Sequence, residues 1–365
     1  MSERSRPPAS DPEALLRDGE RAARAARLEY ARLDTPGWTR KKRGKGFSYH
    51  DEKGRTIRDP EALARIRKLA IPPAWTRVWI SPSPRAHIQA TGHDAKGRKQ
   101  YRYHERFRAL RESAKYQHVL RFARHLPALR RRLARDLRKP GLEQNKVLSA
   151  VVELMQRTCI RVGNDRYAEQ NGSYGLTTLR DRHAKFHGST LELEFKGKSG
   201  KVHRIRLDDA RLARIVRRCR DIPGQRLFQY ATEDGRFRAV TSGDVNEYLQ
   251  RVTGEPFSAK DFRTWSGTLL AVHALAACEP CKSVRDQRRE VKRALEHVSS
   301  ELGNTVAVCR KSYVHPAVID QYTAGELSTA FCKAARTARR RPVPGLRGPE
   351  VVALRWLEAL AKEGG

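Results

Sequence analysis

The chain has 365 residues, 39% of them hydrophobic, which allows at least one sizeable core and argues against wholesale disorder. Its 75 Lys and Arg against 41 Asp and Glu leave a net charge of +34. A folded chain this basic repels itself unless it meets a polyanion, so the expected partner is duplex nucleic acid. No apolar run reaches transmembrane length, and residues 1–35 are polar and charged, so neither membrane association nor a secretory leader is expected and the reading is cytoplasmic.

In chain order, residues 1–36 read as a polar leader, with one Ala/Arg/Leu-rich helical stretch from Asp11 to about Leu33. Residues 37–108 read as a small β-rich domain. Aromatic and β-branched residues alternate there with turn formers, as in Gly46-Phe47-Ser48-Tyr49 and Val78-Trp79-Ile80-Ser81. Residues 109–330 read as a larger, mainly helical domain. Val147, Val151, Leu154, Met155 and Cys159 recur at helical spacing on one face.

Leu191–Phe195 and Val202–Leu207 then alternate with period two, around a tip of Lys196-Gly197-Lys198-Ser199-Gly200-Lys201 that predicts a hairpin. Helices are predicted to resume after Asp208, after Ser242 or Asp244, and at Ser258, where Asp261 offers a capping partner. A long charged helix carries Val284, Val291, Leu295, Val298 and Leu302 and stops at Gly303. Residues 331–365 read as a basic tail: a linker over 333–349 and a short amphipathic helix from Val351 to Leu360. The fold class is therefore α+β.

Six cysteines lie scattered without a disulfide framework, which suits a reducing compartment. Cys278-Glu-Pro-Cys281 is the one metal-like spacing, and it lacks a second ligand pair, so no metal site is assigned. The chain has no HExxH, P-loop or GxGxxG motif, and no cofactor is expected. Phosphodiester cleavage without a metal needs a nucleophile, cations on the non-bridging oxygens and an acid for the leaving oxygen. Four segments offer those parts: Cys159–Asn164 with Arg161, the hairpin tip with Lys198, Lys260–Trp265 with Arg263, and Arg310–Pro316 with Tyr313. Taken singly, each arginine reads as a phosphate clamp or surface charge, and Tyr313 as a core aromatic.

In order, these segments resemble the type IB DNA topoisomerases, in their compact poxvirus-like and bacterial branch. The resemblance runs from about Gly37 to about Leu327 and includes Ile71-Pro72-Pro73-Ala74-Trp75 and Gly97-Arg98-Lys99-Gln100-Tyr101. It implies an enzyme of the tyrosine recombinase/type IB topoisomerase fold, acting near the nucleoid as a monomer that clamps duplex DNA. By the same resemblance Tyr313 is the nucleophile of a 3′-phosphotyrosyl intermediate. Arg161 and Arg263 hold the scissile phosphate, and Lys198 is the general acid, with Lys196 and Lys201 as alternatives.

Viral and eukaryotic members place a His where this chain has Asn304, nine residues before Tyr313. Asn donates a neutral hydrogen bond but supplies neither proton nor charge. His297 and His315 are alternatives for that role. The resemblance further implies DNA contacts from Arg98, Gln100, Tyr101, Tyr103, Tyr167 and Lys260. Two rival readings remain: a tyrosine recombinase, which would normally carry His-x-x-Arg where this chain has Lys260-x-x-Arg263, and a non-catalytic basic DNA-coating protein.

Overall fold

The computed structural model describes residues 12–44, 46–278 and 283–363. The chain divides into two compact units between His118 and Val119. Among the described residues no helix is long and apolar enough to cross a membrane.

The first unit begins with α1 (Pro12–Arg17) and α2 (Gly19–Ala25). The expected single helix is thus broken, and the part of it before Pro12 lies outside the described residues. Asp18 makes the break: its carboxylate accepts from the amides of Glu20 (2.9 Å) and Arg21 (3.0 Å), capping α2 instead of continuing α1.

Strands β1 (Trp38–Arg43) and β2 (Gly46–His50), helix α3 (Pro60–Lys68), and strands β3 (Thr76–Ile80), β4 (Ile88–His93) and β5 (Lys99–Tyr103) follow. The five strands form one antiparallel sheet in the order β2-β1-β3-β4-β5. Ile66 of α3 packs with Val78, Ile80 and Ala90 beneath it. The basic run of β1 is not all surface charge. Arg40 donates to the carbonyls of Ile71 (3.3 Å), Pro72 (3.1 Å) and Trp75 (2.6 Å), so the Ile-Pro-Pro-Ala-Trp segment is a carbonyl cradle for a guanidinium.

One turn is built twice. Asp51-Glu-Lys-Gly-Arg55 and Asp94-Ala-Lys-Gly-Arg98 share a pattern in which the aspartate accepts from the amides two and four residues on and from the arginine Nε. Gly54 and Gly97 take positive φ, +78° and +71°, which the pattern needs. The unit boundary falls inside α4 (Glu105–Asp136).

The second unit is mainly helical. It contains α5 (Gln144–Thr158), α6 (Asp165–Asn171), the antiparallel strands β6 (Ala184–His187), β7 (Thr190–Lys196) and β8 (Val202–Asp208), then α7 (Ala210–Arg220) and the small hairpin β9 (Gln229–Ala231) with β10 (Phe237–Ala239). Helices α8 (Ser242–Thr253), α9 (Ala259–Ala276), α10 (Val284–Leu302), α11 (Val306–Ser312), α12 (Pro316–Thr323), α13 (Leu327–Arg340) and α14 (Gly348–Glu363) complete it. Its core joins Phe122, Leu148, Val151, Tyr248, Phe257, Phe262, Val298 and Trp356.

The stretch 333–349, read as a linker, is helical as far as Arg340. Its small residues Ala334 and Ala338 are buried, so α13 packs while its arginines face outward. Helix α14 is also built into the core. Arg130 pairs with both Glu350 oxygens (2.7 and 2.8 Å), and buried Trp356 donates to Gln321 of α12 (2.8 Å).

Candidate active site

Helix α5 ends where Cys159 turns left-handed (φ +54°), and the chain leaves along an irregular path that carries Arg161. Helix α10 ends at Leu302, with Gly303 left-handed at φ +59°. The last carbonyls of a helix have no partner within it and carry partial negative charge. Here two arginines satisfy them. Arg161 Nη2 donates to the Gly303 carbonyl (3.0 Å), and Arg263 Nη2 to the Leu302 carbonyl (2.6 Å). Arg161 also donates to the Asn304 side-chain oxygen, and Arg263 to the Cys159 carbonyl.

Arg263 rides on α9, whose start is set by Asp261 accepting from the Ser258 amide (2.8 Å). It is only 4% exposed, and its guanidinium lies 5.2 Å from the centre of the Tyr313 ring. Tyr313, at the end of α11, is half-buried. One turn along α9 from Arg263, Gly267 and Thr268 hold the Tyr313 backbone. A Cβ on Gly267 would lie 2.8 Å from the Tyr313 carbonyl oxygen, and Thr268 Oγ1 donates to that same oxygen (3.3 Å) and accepts from the His315 amide (3.2 Å).

Neither Arg161 nor Arg263 meets a carboxylate among the described residues; some half-buried arginines, such as Arg40 in its carbonyl cradle, share that, and others do not. Arg121 pairs with Glu255, Arg130 with Glu350 and Arg157 with Asp209. Two cations held by carbonyls, with no carboxylate beside them, keep their net positive charge, which suits an anion. Burial and the neighbouring Arg263 charge pull Arg161 down to about 10, which leaves it charged at neutral pH.

Lys198 sits at the tip of the β7–β8 hairpin, in a turn closed by the Gly197 amide and the Lys201 carbonyl (2.7 Å), and its side chain is exposed. Of the alternatives, Lys201 is the one whose charge reaches His203 and Cys309. Asn304 has its oxygen on Arg161, while its amide nitrogen is buried with no partner. His297 is exposed on α10, and His315 caps α12 with its ring edge against Trp356 at 5.9 Å.

Of the expected DNA contacts, Arg98 and Gln100 share one acceptor, Asp94 Oδ2, at 2.9 and 3.0 Å. The Arg98 bond pulls Asp94 down to about 2. Tyr101 and Tyr103 are exposed and stacked at 5.8 Å. Tyr167 is exposed on α6, and Lys260 in the first turn of α9.

Sequence reasoning missed three residues here. Gly267 and Thr268 had a signal, small residues inside an apolar helix one turn beyond Arg263. His203 had one too, a lone titratable side chain on the inward face of β8 beside Ile205 and Leu207. Among the described residues no group of three or more His, Cys, Asp or Glu side chains comes together, and Cys281 lies outside them.

Residues 104–337 match the catalytic core of eukaryotic DNA topoisomerase I, and residues 46–94 match the N-terminal domain of bacterial DNA topoisomerase IB. The chain is also 35% identical to the DNA topoisomerase 1B of Acanthamoeba polyphaga mimivirus over 294 residues, 78% of this chain and 87% of the relative. The chain belongs to the type IB DNA topoisomerases. A more distant likeness, 18% over 231 residues, links this topoisomerase to the DNA topoisomerase 1B of vaccinia virus (strain Copenhagen) and the DNA topoisomerase I of monkeypox virus, covering 63% of this chain and 70% of each relative. It is therefore an enzyme whose substrate is duplex DNA, and its α+β architecture is that of the family.

Proposed function

We propose that this topoisomerase relaxes supercoiled DNA by cutting and resealing one strand through Tyr313. The observation that carries the reading is the pair of carboxylate-free arginines on one helix end, one of which, Arg263, lies against the Tyr313 ring. The phenolic oxygen attacks the scissile phosphorus, a 3′-phosphotyrosyl bond forms, and the bond to the 5′ oxygen breaks. Arg161 and Arg263 balance the charge gained on the non-bridging oxygens, and the fixed guanidinium fork suits a pentacoordinate phosphorus. Asn304, already tied to Arg161, adds a neutral donor. Lys198 gives a proton to the departing 5′ oxygen when the hairpin engages DNA.

The cut strand rotates about the intact one, and the 5′-hydroxyl then attacks the phosphotyrosine and restores the backbone. Because the ester conserves the bond energy, the cycle consumes no ATP, and with the arginines supplying positive charge it calls for no metal ion. Arg98, Gln100, Tyr101 and Tyr103 contact the duplex from the first unit, and Tyr167 and Lys260 contact phosphates from the second. The enzyme works as a monomer, in the cytoplasm on nucleoid DNA.

Supercoiled plasmid incubated with the protein in EDTA without ATP tests this. Stepwise relaxation that disappears in Tyr313→Phe is the expected result. Tight binding without relaxation sinks the reading, and relaxation that returns only with a divalent ion sinks its metal-free part.

A further inference from the structure

We propose that His203 is a positioning residue, a wedge that sets the Lys198 hairpin against the corner where Arg161 meets Gly303. The inference rests on the reading of Lys198 as the general acid.

His203 lies directly across from Phe195 in the β7–β8 ladder, and its ring stacks on that phenyl at 5.1 Å and 16°. Its edge lies in a slot between two glycines. A Cβ on Gly197 would come within 2.6 Å of the imidazole Cδ2 and Nε2, and one on Gly303 within 3.0 Å of Cε1. Real Cβ atoms do not make the first approach, and the second would force the ring to shift, so the slot in this form needs glycine at both positions. Gly197 immediately precedes Lys198. Gly303 accepts from Arg161 and immediately precedes Asn304. One imidazole thus touches the lysine hairpin on one side and the phosphate corner on the other.

A flat ring trapped at both edges fixes a separation as a side chain free to rotate does not. Lys198 and Lys201 are exposed, and among the described residues the main chain ties the tip only to itself and, at its base, to the Tyr174 amide, which donates to the Lys196 carbonyl (2.8 Å). Burial and the charges of Arg161, Arg263 and Lys201 all push the His203 pKa down, so the wedge is neutral and adds no repulsion to a site crowded with cations. A general acid contributes only when it is held within hydrogen-bond reach of its oxygen, and loss of that geometry slows bond breaking without weakening DNA binding.

The test is single-turnover formation of the covalent complex, with enzyme in excess, on two duplexes. One carries the ordinary 5′ oxygen at the scissile phosphate, and the other carries sulfur there. A thiolate leaves without a proton, so sulfur removes the need for an acid. His203→Ala and Lys198→Ala are each expected to slow cleavage of the oxygen duplex by at least about tenfold and to cleave the sulfur duplex within about threefold of the unsubstituted enzyme.

His203→Phe keeps a flat ring on Phe195 and is expected to cleave the oxygen duplex within about threefold of the unsubstituted rate. If Lys198→Ala is restored by sulfur and His203→Ala is not, or if His203→Ala is not slowed, the proposal is overturned and the Lys198 reading stands. A Phe variant as slow as the Ala variant also overturns the wedge. If sulfur fails to restore Lys198→Ala, the Lys198 reading itself falls, with Lys201→Ala run in parallel to show whether that lysine is the acid.

Discussion

Arg161 and Arg263 anchor on consecutive carbonyls of one turn, those of Gly303 and Leu302, at 3.0 and 2.6 Å. Two like charges are thereby held side by side by main-chain dipoles and not by carboxylates. A carboxylate would hold them as well but would neutralise the field that a phosphate must feel. Helix-end carbonyls restrain the guanidiniums and leave their charge available.

That arrangement depends on Gly303. Gly303→Ala places a Cβ at φ +59° and 3.0 Å from His203 Cε1. The backbone strain costs about 1 kcal/mol. The larger expected effect is on chemistry: the rate of covalent complex formation should fall about tenfold or more, with DNA affinity nearly unchanged. Equal losses in binding and rate would count against the turn as the organiser of the site.

Gly267→Ala should act chiefly on the placement of Tyr313, with a lighter contact on the Leu302 side chain at 3.2 Å. The added methyl meets the Tyr313 carbonyl oxygen at 2.8 Å and its Cβ at 3.0 Å, so the tyrosine segment must shift. Both cleavage and religation are expected to slow by about a hundredfold, since ångström-scale misplacement costs about that much. Thermal unfolding should drop by only a few degrees. A variant with normal relaxation would show that the close approach has no role.

Helix α14 should make the enzyme acid-sensitive. Burial tends to raise the Glu350 pKa, but hydrogen bonds from Arg130 and the Arg347 amide override it and leave the value lowered. A lowered folded-state pKa gives stability that is present above the ordinary carboxylate value and lost as pH falls through the folded one. Glu350→Gln should therefore flatten the melting temperature against pH on the acid side. Trp356→Ala, which empties a fully buried site beside His315, should cost about 3–5 kcal/mol in denaturant unfolding.

Asp94→Ala releases Arg98 and Gln100 from their shared acceptor. If Arg98 and Gln100 contact the duplex as proposed, DNA binding should weaken and its dependence on sequence should broaden, because the two side chains lose their fixed direction. Once DNA is bound at saturation, cleavage should proceed at the unsubstituted rate. Slowed cleavage at saturation would instead tie Asp94 to the chemistry.

Much of the second unit is legible in the sequence because its signals are local. Gly303 ends α10, Asp261 caps α9 and the Lys196–Lys201 tip turns the hairpin, each decided within a few residues. The site is legible only as separate segments. The cradle of Arg40 has no local sequence signal, because its four acceptor carbonyls are more than thirty residues away in sequence. His203 reads as one polar step in an alternating strand because Gly303, which closes its slot, belongs to another helix end. The break at Asp18 is hard to read because the same aspartate fits a helix interior or a cap, although Gly19 after it is a weak breaking signal.

The carbonyl anchoring of the two arginines also bears on how the site tolerates mutational drift. A hydrogen bond to a main-chain oxygen survives replacement of the side chain on that residue. Replacing Leu302 by another apolar residue that fills its buried place need not release Arg263, and a change at 304 leaves Arg161 its hold on the carbonyl before it. Variation is then tolerated at position 304, where this chain carries Asn304, and resisted at the residue between, where a side chain would press on His203.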